Sequence, residues 1–434
     1  MFWFVVTTAF LHGPSPRDSV GTEPRKLAMA QPGAPDQATR TDLEGRVAAL
    51  EREVERLRLQ QGEAGAEGAP PPAAPSAVSP NVFNPTVTVI GNGLYRYDDR
   101  DIVENDSHLD NQFNLRETEL DFRAAVDPFA DAVAITAIES EIPGEFAIGV
   151  EEAYVQIKRL PLPVLDQPPL GLKLKAGRFR TEMGRLNRVH LHDLPQMTRP
   201  LVTTEFLGEE GYIGDGLSAQ FFLPTPFDAA AALELTLQAL TGGGVPVADG
   251  PPDDPAFVGN LRWFRAVGGA HNFDLSLIAD YGSTAPGSDL DATTLSADFL
   301  YRWKPLRGGE FKSFLLGGQG FWAQRDFLAT DGGGAPLARR TEPRGWFAFV
   351  QFQPRRTTYL GLRWDDTDSI DDDSVRRQAV TGYMTWYTSE FLRFRFGYEH
   401  RWSDLSEEDG RDSAYAELNF VFGAHPIEPF WVNR

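Results

Sequence analysis

Between about Thr86 and Phe422 the chain is a train of short segments in which apolar and polar residues alternate, and the gaps separating them switch between short and long. A period of two marks strands with one oily and one polar face. Leu233, Leu235, Leu237 and Ala239 oppose Glu234, Thr236 and Gln238, and Leu392, Phe394, Phe396 and Tyr398 oppose Arg393, Arg395 and Glu399. Sixteen such segments can be drawn, from 86–97 to 412–422, with the fifth over 170–179 and the sixth over 214–223. An even number returns both ends of a closed meander to the same side.

Strand alternation alone suits a soluble sandwich as well as a barrel in lipid; the gaps separate the two. Gaps such as 98–112, 180–213, 241–256 and 325–344 are long, whereas Gly268–Ala270, Pro354–Arg356 and Thr388–Ser389 are short turns. The gap 142–147 is the exception, being shorter than the one after it. A Greek-key sandwich has no reason to sort its connections by length, but an up-and-down barrel crossing a bilayer does. Trp263, Trp303, Trp322, Trp346, Trp364 and Trp386 fall near strand ends or in the outer halves of strands, where interfacial girdles form. The expected fold is all-β: a sixteen-stranded antiparallel transmembrane barrel over 83–434, in the bacterial outer membrane.

Composition agrees with this. Aromatics reach 12% while mean hydropathy is -0.32, as a barrel with a wet interior requires. There is no cysteine, hence no disulfide framework or thiolate chemistry. A net charge of -21 argues against a nucleic-acid partner. The acids gather at Asp98–Asp110, Asp365–Asp373 and Asp404–Asp412, where they serve as solvated loop tips or bridge through divalent cations to outer-leaflet lipopolysaccharide. No GxSxG, HExxH or phosphate loop is present, and the chain is not expected to be an enzyme.

Ahead of the barrel, residues 1–30 read as an export segment, with an apolar run at Met1–Leu11 and an Ala28-Met29-Ala30 cleavage pattern. Residues 31–62 carry a capping box from Thr41 to Glu44 and a heptad seam of Leu43, Val47, Leu50, Val54 and Leu57, a short coiled coil suited to joining protomers. Residues 63–82, mostly Gly, Ala and Pro, form a spacer.

Arg180–Gly214 is the longest gap, and a connection of that length inside a compact fold is usually functional. It is expected to enter the lumen and set the pore constriction. Arg180, Arg185, Arg188 and Arg199 would oppose Glu205, Glu209 and Glu210 across the passage. His190, His192 and Asp193 offer a divalent-metal set, the only cofactor the sequence suggests. Arg178, Arg302, Arg363, Arg393 and Arg395 are expected on the lumen wall, either paired with acids or as a ladder for anions.

The heptad segment Leu43–Leu57 with its Pro-rich spacer, and Ala176-Gly177-Arg178-Phe179 leading into the long loop, resemble the phosphate-selective porin O/P family and related porin-like proteins linked to zinc limitation. Within the loop, Leu186-Asn187-Arg188-x-His190-x-His192 and Phe206-x-Gly208-Glu209-Glu210-Gly211 are especially similar to the zinc-linked group. The resemblance implies a channel, commonly trimeric, for small hydrophilic or ionic solutes; a non-conducting surface barrel and a zinc-uptake porin are the alternatives. Barrels of that family end on an aromatic residue read by the assembly machinery. Here Phe420 and Phe422 are followed by 423–434, so the signal is internal or Phe430-Trp431 replaces it.

Overall fold

The computed structural model describes residues 85–433, apart from 101–102, 105–106, 109–110, 141–145, 160–166, 227, 242–254, 286–288, 306–311, 331–335, 407–408 and 425–428. The expected export segment, coiled coil and spacer lie outside the described residues.

The first eight staves are β1 (Thr86–Asp98), β2 (Gln112–Ala125), β3 (Ala130–Glu139), β4 (Ala147–Ile157), β5 (Lys173–Arg180), β6 (Ile213–Leu223), β7 (Ala231–Leu240) and β8 (Ala256–Val267). They continue with β9 (His271–Ser283), β10 (Asp291–Trp303), β11 (Ser313–Thr330), β12 (Arg344–Arg355), β13 (Thr358–Asp368), β14 (Arg376–Ser389), β15 (Leu392–Ser403) and β16 (Arg411–Gly423). Each pairs antiparallel with its neighbours in sequence. β1 pairs with both β2 and β16, so the ring of staves closes on itself and no stave is left at an edge. The sheet has seventeen strands; Pro336–Thr341 pairs only with the far end of β11, which leaves sixteen staves. All sixteen segments drawn from the alternation are present. β5 starts at Lys173 rather than at 170, because Pro168 and Pro169 lead into a turn with Leu170 at φ 53.

The side chains are sorted inside out. Along β9, Leu275, Leu277 and Tyr281 are 37%, 55% and 47% exposed, while Asp274, Ser276 and Asp280 between them are buried. Leu237 and Phe396 stand outward likewise, as alternation requires, beside buried Gln238 and Arg395. Trp322, Trp346, Trp364 and Trp402 are exposed on the exterior near the long-loop end, and Trp386 near the short-turn end. The apolar exterior thus carries an indole ring at one rim and an indole at the other.

One sector of the lumen breaks the polar-inside rule. Val258, Ile278, Leu300, Leu315, Phe321, Phe347 and Phe349 point inward and are buried. Ile278 sits in an inward row otherwise made of Asp274, Ser276 and Asp280. Apolar side chains facing a wet lumen would cost hydrophobic free energy, so they require a cover.

Candidate functional site

That cover is the long connection from β5 to β6. It folds into the lumen, and Met183, Leu186, Leu194, Val202, Phe206, Leu207 and Tyr212 pack against the inward apolar row, each 0–1% exposed. Helix α1 (Leu201–Leu207) buries Val202, Thr203, Phe206 and Leu207, the i, i+1, i+4, i+5 face of a single amphipathic stripe. Gly208, at φ 86, ends it, and Gly211, at φ 83, lies against Asn187 Oδ1 with no room for a Cβ. Asn187 in turn accepts from the Tyr212 N–H at 2.7 Å and donates to the Thr181 carbonyl at 2.9 Å, closing the base of the loop.

An irregular chain inside a barrel leaves backbone carbonyls with no ladder, and each must find a donor. Wall arginines supply it. Arg395 donates to the carbonyls of Leu194 and Gln196 (2.9 Å for the latter) and Arg393 to that of His192. Arg363 donates to the Thr198 carbonyl at 2.6 Å and Arg116 to the Met197 carbonyl at 2.7 Å. Their charges are held by buried acids: Arg395 with Glu417 at 2.7 Å, and Arg363 with Asp365 at 2.7 Å and Glu399 at 3.1 Å. Arg363 and Arg395 are wholly buried, so they clamp the loop and are not a ladder open to passing anions. Arg302 also points inward and donates to the Val432 carbonyl at 3.2 Å. Arg178 is a correction. Its neighbour Phe179 is buried in the lumen, so Arg178 faces outward, where it pairs at 3.5 Å with Asp215 beside exposed Leu217.

The charged loop residues are brought into the lumen, but they do not oppose one another across it. Arg185 lies 3.1 Å from Asp274 and 3.4 Å from Asp298 of the wall, and Arg188 lies 3.2 Å from Glu182. Arg199 donates to the carbonyls of Leu186, Val189 and Glu210. Glu205 accepts from Ser369, from the Ile370 N–H and from Arg377, while Glu209 is exposed to the cavity at the loop end. The expected transverse field within the loop is therefore not formed: Arg185 and Glu205 pair with the wall, Arg199 holds carbonyls of the loop itself, and Arg188 pairs with Glu182, its near neighbour on the loop.

The acids that matter most come from strands the sequence did not single out. Glu117 and Glu119 of β2 and Glu151 and Glu152 of β4 surround the two loop histidines. His190 Nδ1 lies 2.7 Å from Glu151 and 3.1 Å from Glu119, and its Nε2 lies 3.0 Å from Glu152. His192 Nδ1 lies 3.3 Å from Glu117 and 3.5 Å from Glu119. Arg180 pairs with Glu151 and approaches His190 Nδ1 to 3.4 Å. Burial and the Arg180 guanidinium act downward on His190, but Glu119 and Glu151 outweigh them and hold its pKa well above that of a free histidine. Burial likewise acts downward on His192, and Glu119, Asp193 and Glu117 bring it up to about 9. Burial, with Arg180 nearby, brings Arg199 down to about 10. Asp193 is not part of the cluster: its carboxylate is 3.7 Å from His192 Nε2, and its carbonyl accepts from the Trp431 indole. The signal was present in Arg116–Asp121, where acids at 117, 119 and 121 share one strand face.

The chain end completes the interior. Trp431 is fully buried and meets Tyr359 edge-on at 5.6 Å, and Phe430 lies beneath the Arg185 guanidinium. Phe420 and Phe422, by contrast, are exposed on the exterior. Two spaces flank the loop. On the long-loop side a cavity of about 410 Å³ is lined by Arg116, Thr198, Glu209 and Glu210. On the other side one of about 430 Å³ is lined by Glu119, Glu152, His190, His192 and Phe430. Residues 190–192 and the middle of β2 stand between them.

No family model matches the chain. A curated protein of Aquifex aeolicus (strain VF5), described as an uncharacterized protein, is 36% identical over 359 residues, covering 73% of this chain and 70% of that one. The chain belongs to that protein's family. Solved structures with similar barrels include a loop-L8 deletion of OmpT, an outer membrane protein of Vibrio cholerae, at 9% identity over 78% of this chain and all of that one, with a TM-score of 0.47. The anion-selective porin from Comamonas acidovorans is similar at 8% identity, over 78% and 99% of the two chains, with a TM-score of 0.47. The outer membrane channel DcaP of Acinetobacter baumannii is similar at 11% identity, over 78% and 96%, with a TM-score of 0.47.

Proposed function

We propose that this family member is an outer-membrane, porin-like channel for small hydrophilic or ionic solutes, and that the loop between β5 and β6 sets its constriction. The observation that carries the reading is the pairing of an apolar, tryptophan-rimmed exterior with a lumen in which that loop separates two polar cavities. An exterior of this kind is stable only against hydrocarbon, and closure of the barrel leaves no stave with a free edge there. Arg188, which is partly exposed and lines the cavity beside His190, and Glu209 and Glu210 on the other side are the loop charges placed to meet a solute. The heptad segment before the barrel would join protomers; a homotrimer is the assembly the family resemblance implies, whereas Val at a with Leu at d leans toward two strands. The exposed loop acids, Asp371 among them, would bridge through cations to lipopolysaccharide.

The buried tail at Trp431 favours a second reading, a barrel that displays its loops and does not conduct. Single-channel recording of the purified chain in a planar bilayer, with reversal potentials in asymmetric salt, decides between them. Discrete conductance steps support the channel; a bilayer that stays silent with the folded barrel inserted supports the second reading.

A further inference from the structure

We propose that the neck between the two cavities is a two-step binding path for a divalent transition cation, centred on Glu151. This deepens the channel reading and rests on it for the passage, though not for the binding. Glu117, Glu119, Glu151 and His190 each offer a ligand atom, and those atoms lie within 4.8 Å of one another. All four residues are buried. A second set, Glu139, Glu151 and Glu210, meets the same criterion and shares Glu151 with the first. Glu139 and Glu210 line the space on the long-loop side, whereas Glu119 and His190 line the cavity on the other. An ion held by the outer set therefore needs only to exchange partners around Glu151 to reach the inner one.

An independent observation points to a ligand here. Glu151 Oε1 is buried and accepts no hydrogen bond from any described residue, although its carboxylate is shared by both sets. A buried carboxylate oxygen without a donor is costly, and a cation relieves it. Three carboxylates with one imidazole, and no thiolate, suit a borderline divalent ion such as cobalt or zinc better than magnesium, which prefers oxygen ligands alone. Arg180 is the resident cation of the cluster, paired with Glu151 and close to His190. A divalent ion competes with that guanidinium, and the competition keeps binding reversible, as passage requires.

Cobalt titration of the full-length barrel in detergent tests this, followed by visible absorption and calorimetry, with magnesium as the comparison. Wild type should bind cobalt with a ligand-field spectrum and magnesium at least about tenfold more weakly. Glu119→Gln should weaken cobalt binding at least about tenfold. Arg180→Gln should tighten it, an outcome that a merely structural role for the cluster does not produce. Glu210→Gln should leave the spectrum of the inner set unchanged. Should Glu119→Gln fail to fold, Arg180→Gln and Glu210→Gln still decide. A folded wild-type barrel without cobalt binding, or equal affinities in wild type and Arg180→Gln, overturns the proposal. Conductance without cobalt binding would leave the channel reading standing and remove this site; cobalt binding in a silent barrel would do the reverse.

Discussion

The indole N–H of Trp431 donates to the backbone carbonyl of Asp193 at 2.7 Å, tying the last turn of the chain to the loop that fills the barrel. The tie is reinforced on both sides. Asn433 exchanges hydrogen bonds with Gln353 and Tyr359, and Arg393, which holds the His192 carbonyl, lies over the same indole. Loop and tail thus share one set of wall anchors.

Trp431→Ala is expected to release the tail while leaving the barrel folded, since no ladder bond involves it. Losing a packed indole costs about 3–5 kcal/mol in a core, here charged mainly to docking of the tail. Single-channel conductance should rise and the tail should become cleavable by protease added at the short-turn side. Unchanged conductance and full protection would show that the tail does not restrict the lumen.

Arg395→Met should destabilise the barrel by about 3–5 kcal/mol, because Glu417 is left buried without its partner and the loop carbonyls lose their donor. Arg178→Met should change stability by about 0–1 kcal/mol, since its pair with Asp215 is exposed to the surroundings. Urea unfolding of both variants in the same detergent compares them, and equal losses would contradict the assigned facings.

Arg188→Gln should shift the reversal potential toward cations, because one fixed charge in a narrow passage acts strongly. Deleting 185–207 should enlarge conductance and expose the inward apolar row, lowering stability as well. A deletion that leaves conductance and selectivity untouched would remove the loop from the constriction.

Leu235→Arg should cost about 2–4 kcal/mol if the residue lies near the hydrocarbon midplane, measured by reversible folding into lipid vesicles. A loss below about 0.5 kcal/mol would place this part of β7 outside the apolar belt.

The staves themselves were legible because strand identity is local: a period of two over ten residues specifies both the strand and which face is oily, as in Leu392–Tyr398. Length sorting of the gaps then distinguished a barrel from a sandwich, and the length of Arg180–Gly214 marked the connection that goes inside. From sequence Arg178 is expected inward because a charge usually marks the polar face of a stave; here the inward face carries Phe179, which packs in the apolar sector, so alternation sends Arg178 outside. The loop's charges were paired with one another in the sequence because they are neighbours there. In the barrel, Arg395 reaches the Leu194 carbonyl across 201 positions of chain, and His192 meets Glu117 across 75.

What the sequence by itself determined is therefore the repeating part of the protein: sixteen staves, their facings apart from Arg178, the two rims and the longest connection as the one that goes inside. Only the tertiary structure decided which acids surround His190 and His192, that the wall arginines clamp loop carbonyls, and that Trp431 turns back into the lumen. The reason is physical. Periodic burial leaves its mark in adjacent residues, whereas a buried carbonyl or imidazole is satisfied by whichever group barrel closure brings within about 3 Å, and closure is not written in any local stretch of chain.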